Sequence, residues 1–251
     1  ILHQISPSIH RDIRNIYWTA KGLYARWIGT RYFERRWSRQ EVANLREDFS
    51  NLQHPHRQWL MQHLELAHPF TSALEIGCGY GPNVQLLATK FNNVEVVGLD
   101  INSHSVQLGT NKLSELGIEK ARLVIGKADD LSQFDDQQFD VVFTDATLLY
   151  IGPDKIDKVI AEMKRVCRQA LICMELHRPC FSHENSEGIS TFTPSGWVRD
   201  YHQLLSRFFP SNSISISKIP KKVWPAENWI NDGYLITAIR RQKPIPSSER
   251  A

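Results

Sequence analysis

The chain has 251 residues, 41% hydrophobic and 23% charged, with 13 Gly and 12 Pro; this excludes collagen-like, low-complexity and wholly disordered classes and leaves room for one large domain or a core with an appended cap. No run of about 18 apolar residues and no short apolar opening segment occurs, so neither a membrane span nor a secretory signal is expected, and a cytoplasmic location is the default. The formal net charge of +3 is too small to argue for nucleic acid. The cysteines Cys78, Cys167, Cys173 and Cys180 form neither a disulfide framework nor a zinc-ribbon pair, and are expected to pack.

From Ile9 to about His68 apolar residues recur at helical spacing, as in Ile13, Ile16, Tyr17, Ala20 and Tyr24, then Val42, Leu45 and Phe49, then Trp59, Leu60 and Leu64. This predicts helices, broken near Gly29 and at His54-Pro55. Between Arg11 and Arg39 eight bases stand against only Asp12 and Glu34, interleaved with aromatics including Tyr24, Trp27, Phe33 and Trp37. Three accounts fit this stretch: an aromatic core with a solvated arginine face, a lid over an acceptor pocket, or a surface for a membrane, carrier protein or acidic substrate. His54, His56, His63 and His68 have no acid or Cys to complete a ligand set, so they read as cap and surface histidines and no metal is expected.

After Pro69 short apolar runs alternate with amphipathic stretches, the pattern of βαβ units and a parallel sheet. Strands are predicted at Ala73–Ile76, Glu95–Leu99, Ala121–Ile125, Val141–Thr144 and Ala170–Met174, and helices at Asn83–Phe91, Ser103–Leu116 and Asp154–Arg168. Gly117 is placed to end the second helix. A further helix is expected from Pro194 to Phe209, followed by an antiparallel pair, Ser213–Ile219 and Tyr234–Ile239. Residues 1–69 are thus expected to form a helical cap, 70–243 an α/β core and 244–251 a loose tail.

The strongest local signal is Glu75-Ile76-Gly77-Cys78-Gly79-Tyr80-Gly81-Pro82, a buried strand running into three alternating glycines with a helix behind. Glycines there let backbone approach a ligand, and the helix offers free N–H groups. A dinucleotide fingerprint would need its third glycine where Pro82 stands, which disfavours NAD. Asp100 closes the second strand about 20 residues on, where an acid can take both hydroxyls of a ribose; alternatively it is an acid ahead of the helix at Ser103.

The Glu-x-Gly-x-Gly-x-Gly segment resembles the first motif of class I S-adenosylmethionine-dependent methyltransferases, and the resemblance extends over about Ser72 to Arg240. It implies a Rossmann-like α/β fold, a seven-stranded mixed sheet with helices on both faces, with S-adenosyl-L-methionine as cofactor. By the same resemblance Glu75, Gly77, Gly79, Gly81, Asp100 and the following Ile101 contact the cofactor. Ala128 and Asp129, in Gly126-Lys127-Ala128-Asp129-Asp130, would meet the adenine, with Asp130 a competitor for the second role. Thr144 and Asp145, ending the fourth strand, are candidates for the ammonium group, or else a plain strand end and turn. Many relatives carry His in a Leu-x-His-Ile stretch where this chain has Leu148-Leu149-Tyr150-Ile151; Tyr150 donates a hydrogen bond but, with a reference pKa of about 10, is a poor base.

Methyl transfer needs alignment and exclusion of water, with a base only where the acceptor is an aliphatic hydroxyl. His177, just past the fifth strand, is the candidate base, with His183 and Glu184 behind it; a lone loop His is more often an ordinary surface or packing residue. The acceptor implied is a small molecule, a natural product or sugar derivative, methylated at oxygen. A peptide or RNA docked on the basic cap, and a cofactor-binding module without activity, are the alternatives.

Overall fold

The computed structural model describes residues 17, 20–25, 27, 29–39, 51–179 and 190–240. Two helices precede the sheet, α1 (Arg31–Trp37) and α2 (Pro55–Leu66). The first three strands are β1 (Ser72–Ile76), β2 (Glu95–Asp100) and β3 (Ala121–Ile125), with α3 (Pro82–Lys90) and α4 (Ser103–Glu115) as their crossovers. Next come β4 (Phe139–Asp145), a 3-10 turn at Leu148–Tyr150, α5 (Ile156–Val166) and β5 (Cys167–Leu176). A hairpin of β6 (Ser190–Thr193) and β7 (Gly196–Arg199), then α6 (Tyr201–Leu205), β8 (Ile214–Lys218), α7 (Glu227–Asp232) and β9 (Gly233–Ile239) complete the order.

The main sheet has seven strands in the order β3-β2-β1-β4-β5-β9-β8. The first five run parallel, and β9 pairs antiparallel with both β5 and β8. The expected seven-stranded mixed sheet is therefore present. Strand alternation splits the core between its two faces: Val141 and Phe143 pack with Leu60, Leu64, Val84 and Leu87, while Val142 packs with Leu74, Ile160, Met163 and Leu171. In α5, Ile156, Val159, Ile160 and Met163 follow helical spacing and are all buried, which fixes that helix on the second face.

Two predicted elements are corrected. The helix expected from Pro194 to Phe209 is the hairpin end β7 followed by the short α6: Thr193 and Gly196 pair across a tight turn at Pro194-Ser195, and aromatic and β-branched residues, Phe192 opposite Trp197, favour strand pairing. The helix expected to reach Arg168 stops at Val166, because Cys167 already pairs with Phe139, and the Arg168 and Gln169 side chains both donate to Asp140 Oδ1, at 2.7 and 2.8 Å. The break at His54-Pro55 holds: the His54 side chain accepts from His56 N–H and Pro55 opens α2. Among the described residues no helix is long and apolar enough to cross a membrane. The tail from 244 and residues 180–189, with Cys180, His183 and Glu184, lie outside the described residues; Cys78, Cys167 and Cys173 are free and buried.

Candidate functional site

Strand β1 sits between β2 and β4, where the strand order reverses: the chain builds outward from β1 to β3 on one side and from β4 to β5 on the other, which opens a crevice at the carboxyl ends of these strands, where ligands of open α/β sheets bind. A cavity of about 190 Å³ occupies this crevice, and α1 closes it from above through Phe33, Glu34 and Trp37. A second cavity, about 290 Å³, lies at the opposite, amino ends of the strands and contains none of the sequence-predicted residues.

Gly77, Gly79, Asp100, Ile101, Ala128, Asp129, Asp145 and Tyr150 all line the crevice cavity, as the loops following β1 to β4 converge on it. Gly77 and Gly79 have φ of +74° and +57°, the left-handed region that glycine enters without strain. A Cβ on Gly79 would meet nothing within 4 Å, so backbone is bare towards the cavity there. Asp100 Oδ2 accepts from Gly79 N–H and its Oδ1 from Asn102 N–H, both at 2.8 Å, which ties the end of β2 to the glycine loop. Burial pushes the Asp100 carboxyl up against these two donors. The helix cap of α4 is Asn102, whose side chain accepts from His104 and Ser105, so Asp100 stands two residues before the cap and lines the cavity. Of the two neighbouring acids after β3, Asp129 lines the cavity and Asp130 is exposed. Lys155 Nζ bridges Asp129 Oδ2 at 3.0 Å to Glu34 Oε1 of α1 at 2.6 Å, so the cap is fastened at this end of the crevice.

At the other end lies a cluster that sequence reasoning missed. Asp145 Oδ2 is 3.2 Å from His56 Nε2, 3.6 Å from Arg57 Nη1, and accepts from Asn83 Nδ2 at 2.9 Å. Burial pushes Asp145 up, but His56, Arg57 and Asn83 outweigh it and hold the carboxyl below its ordinary range. Asn83 Nδ2 also donates to Glu75 Oε1 at 2.8 Å. Glu75 is fully buried, and burial pushes its carboxyl up to about 8 despite that bond. Glu75 Oε2 and Asp145 Oδ1 are buried with no hydrogen-bond partner among the described residues; Asp145 lines the cavity whereas Glu75, like Gly81, does not, so the orphaned oxygen that suits a cationic group there is Asp145 Oδ1. His56 is thus buried rather than a surface residue, and its ring stacks on Trp224, with centroids 4.2 Å apart. Its signal was its place in the first turn of α2, which packs on the core beside β1.

Thr144 and His177 are placed elsewhere. The Thr144 hydroxyl points into the core and donates to Glu175 Oε1 at 2.8 Å; it does not line the cavity. His177 Nδ1 accepts from Tyr201 N–H at 3.1 Å, burial lowers its pKa, and the ring packs on Tyr234 away from the cavity. Glu175 is the residue that organises this side: Oε1 also accepts from Thr147 N–H at 2.9 Å and Leu148 N–H at 2.8 Å, and Oε2 from Leu149 N–H at 3.1 Å. The buried Arg199 guanidinium takes the carbonyls of the same turn, Leu148 O at 2.8 Å and Ile151 O. The turn so clamped presents Thr147 and Tyr150 to the cavity. Tyr150 packs between Phe33 and Trp37, centroids 5.2 and 4.8 Å away, and burial raises its pKa, so its phenol stays a donor.

A family model described as a methyltransferase domain matches residues 73–170, which hold all of β1 to β4 but Ser72 and every cavity residue outside Thr30–Trp37. The demethylmenaquinone methyltransferase of Bacillus cytotoxicus is 32% identical over 129 residues, 49% of this chain and 53% of that protein. The fatty-acid O-methyltransferase of Mycolicibacterium smegmatis is 34% identical over 96 residues, 38% of this chain and 32% of that protein. The chain therefore spans about half or less of these relatives' length. The geranyl diphosphate C-methyltransferase of Streptomyces coelicolor A3(2), solved with S-adenosyl-L-homocysteine, superposes with a TM-score of 0.55 at 16% identity, over 74% of this chain and 78% of that one, which shows a shared fold.

Proposed function

We propose, on the premise that residues 73–170 form a methyltransferase domain of the class I S-adenosylmethionine-dependent kind, that the protein methylates an oxygen atom of a small-molecule acceptor. The observation that carries this reading is the series of acceptors along one cavity: Asp129 after β3, Asp100 at the end of β2, and the unpartnered Asp145 Oδ1 at the end of β4. These match, in order, an adenine amine, ribose hydroxyls and an ammonium group, and the bare backbone at Gly79 leaves room for the chain between them. S-adenosylmethionine, when bound, supplies a sulfonium methyl that an acceptor lone pair takes in one displacement, the thioether leaving and the acceptor proton passing to solvent.

The chain's own contribution is binding, alignment and exclusion of water. Phe33, Trp37 and Tyr150 form an aromatic wall over the cavity, and a polarisable face of this kind attracts a cation. The described cavity residues include no histidine. Its carboxylates are held by Lys155, by backbone N–H groups or by the His56–Arg57 pair. An aliphatic sugar hydroxyl would find no free base there, whereas a phenol, enol or carboxylic acid brings its own acidity. The small-molecule acceptors in the names of the relatives support the same class.

The test is incubation of the full chain with methyl-labelled S-adenosylmethionine and three acceptor panels: phenols and quinols, carboxylic acids, and sugars. Label appearing on oxygen in either of the first two panels is expected. Label on carbon or nitrogen would overturn the choice of atom, and no turnover with any panel while the cofactor binds would favour a binding module.

A further inference from the structure

Ahead of α1 the described residues 20–25 and 27 are also helical, and among them the large apolar side chains are turned outward. The small residues face the protein: Ala25 is buried, and a Cβ on Gly22 would stand 3.8 Å from Phe192. The large ones face solvent, with Leu23 66%, Tyr24 51% and Trp27 83% exposed. Leu23 and Trp27 are four residues apart and Tyr24 and Trp27 three, so they share one side of the helix. Single exposed apolar residues are ordinary, but a contiguous patch with small residues behind it marks a docking face. The Tyr24 ring is 6.4 Å from both Trp27 and Tyr32, which carries the patch onto α1.

Charge selects the occupant. Arg31, Arg35, Arg36 and Arg39 are exposed along and just after α1, and the one acid of that helix, Glu34, is turned inward onto Lys155 at 2.6 Å. Trp and Tyr beside an exposed Leu, bordered by arginines, is the composition of a segment lying in the headgroup region of a bilayer. We propose that this face docks the protein on an anionic phospholipid membrane, with Leu23, Tyr24 and Trp27 entering the headgroup boundary and the arginines meeting lipid phosphates. A nucleic acid would be met by stacking platforms in a charged groove, and gives the exposed Leu23 nothing. Because the other side of α1 roofs the cavity through Phe33 and Trp37, docking sets the cavity's cap against the bilayer and favours an acceptor drawn from lipid. That last consequence depends on the methyl-transfer reading; the docking does not.

The experiment is co-sedimentation of the full chain, without cofactor, with phosphatidylcholine vesicles containing or lacking phosphatidylglycerol. The anionic vesicles are expected to bind the protein and the neutral ones not. Trp27→Ser should lower the partition coefficient about tenfold, from the apolar area withdrawn, and Arg31→Gln and Arg35→Gln about fivefold each. None should change the melting temperature or S-adenosylhomocysteine affinity, since none of these residues lines the cavity. Equal binding to both vesicle types, unchanged binding of the variants, RNA binding in place of vesicle binding, or a dimer in solution that Trp27→Ser dissolves would overturn the proposal. Vesicle binding by a chain that ignores S-adenosylhomocysteine would leave the docking standing and the methyl-transfer reading refuted.

Discussion

Gly77 and Gly79 share positive φ for different reasons, and the difference can be measured. A Cβ on Gly77 would lie 2.3 Å from Thr147 Oγ1, so Gly77→Ala adds overpacking of about 1–3 kcal/mol to the cost of a left-handed alanine. A clear fall in melting temperature without ligand is expected. At Gly79 no atom stands within 4 Å of the added Cβ, so Gly79→Ala should cost only about 1–2 kcal/mol and act mainly by weakening S-adenosylhomocysteine binding. If the two variants lose stability and affinity in the same proportion, this division of roles is wrong. Glu75 makes a second prediction. Its carboxyl, raised to about 8, keeps its proton in the fold at pH values where the unfolded chain has lost it; its contribution is intact below the ordinary carboxylate range and is lost as pH rises towards 8. A cation held by Asp145, which Asn83 Nδ2 links to Glu75, would favour loss of that proton. Calorimetry of cofactor binding at pH 7 in two buffers of different ionisation enthalpy should therefore report proton release, and identical heats would contradict the assignment.

At the scale of elements, the Glu175–Arg199 clamp on the Leu148–Tyr150 turn is the feature that periodicity could not disclose. The sequence shows an apolar fifth strand ending in Glu and a Gly-Trp-Val-Arg run, and nothing local says that the two charges meet one turn from opposite sides. Both are fully buried, and burial pushes Glu175 up to about 7 against its four donors. Glu175→Gln keeps the shape but puts an NH₂ against N–H donors on one side. A loss of about 1–3 kcal/mol is expected, read by denaturant midpoint, with turnover falling further because Tyr150 and Thr147 shift. Unchanged stability would mean that the turn does not depend on this carboxylate. The parallel strands were legible because each is a short buried run bounded by turn residues. The hairpin at Ser190–Arg199 was not, since its Pro-Ser-Gly turn follows a stretch without pattern and Trp197 to Leu205 also satisfies helical spacing. Thr144 and His177 were misplaced for a related reason: position at a strand end gives proximity to the crevice but not the direction of the side chain, which alternates.

At the scale of the molecule, much of the crevice lining could be read from the sequence because it comes from short consecutive runs, Gly77 to Gly79 and Gly126 to Asp129. The residues that complete it, Phe33, Trp37, His56 and Arg57, come from helices that reach the site only through tertiary packing. Leu60 and Leu64 of α2 are buried in the main core with Val84, so a cut at residue 69 would open the core. The segment proposed as a lid, up to Arg39, is held by Thr30 N–H and Oγ1 on Asp154 Oδ1 at 2.8 and 2.9 Å and by Asn102 Nδ2 on Trp37 O at 2.9 Å. A chain starting at residue 51 should melt cooperatively and bind S-adenosylhomocysteine, yet transfer methyl groups about a hundredfold more slowly, the scale expected when alignment and water exclusion are lost. Full activity in that chain would refute the lid.

The central claim is that the crevice between β1, β2 and β4 was built for an adenosyl sulfonium. Titration of the full chain and of Asp100→Ala with S-adenosylhomocysteine, followed by calorimetry, tests it most directly. Saturable one-to-one binding is expected, weakened ten- to a hundredfold in the variant, in line with about 1.5–3 kcal/mol for hydrogen bonds to a charged group. No heat from the unaltered protein, or equal affinity in both, would contradict it.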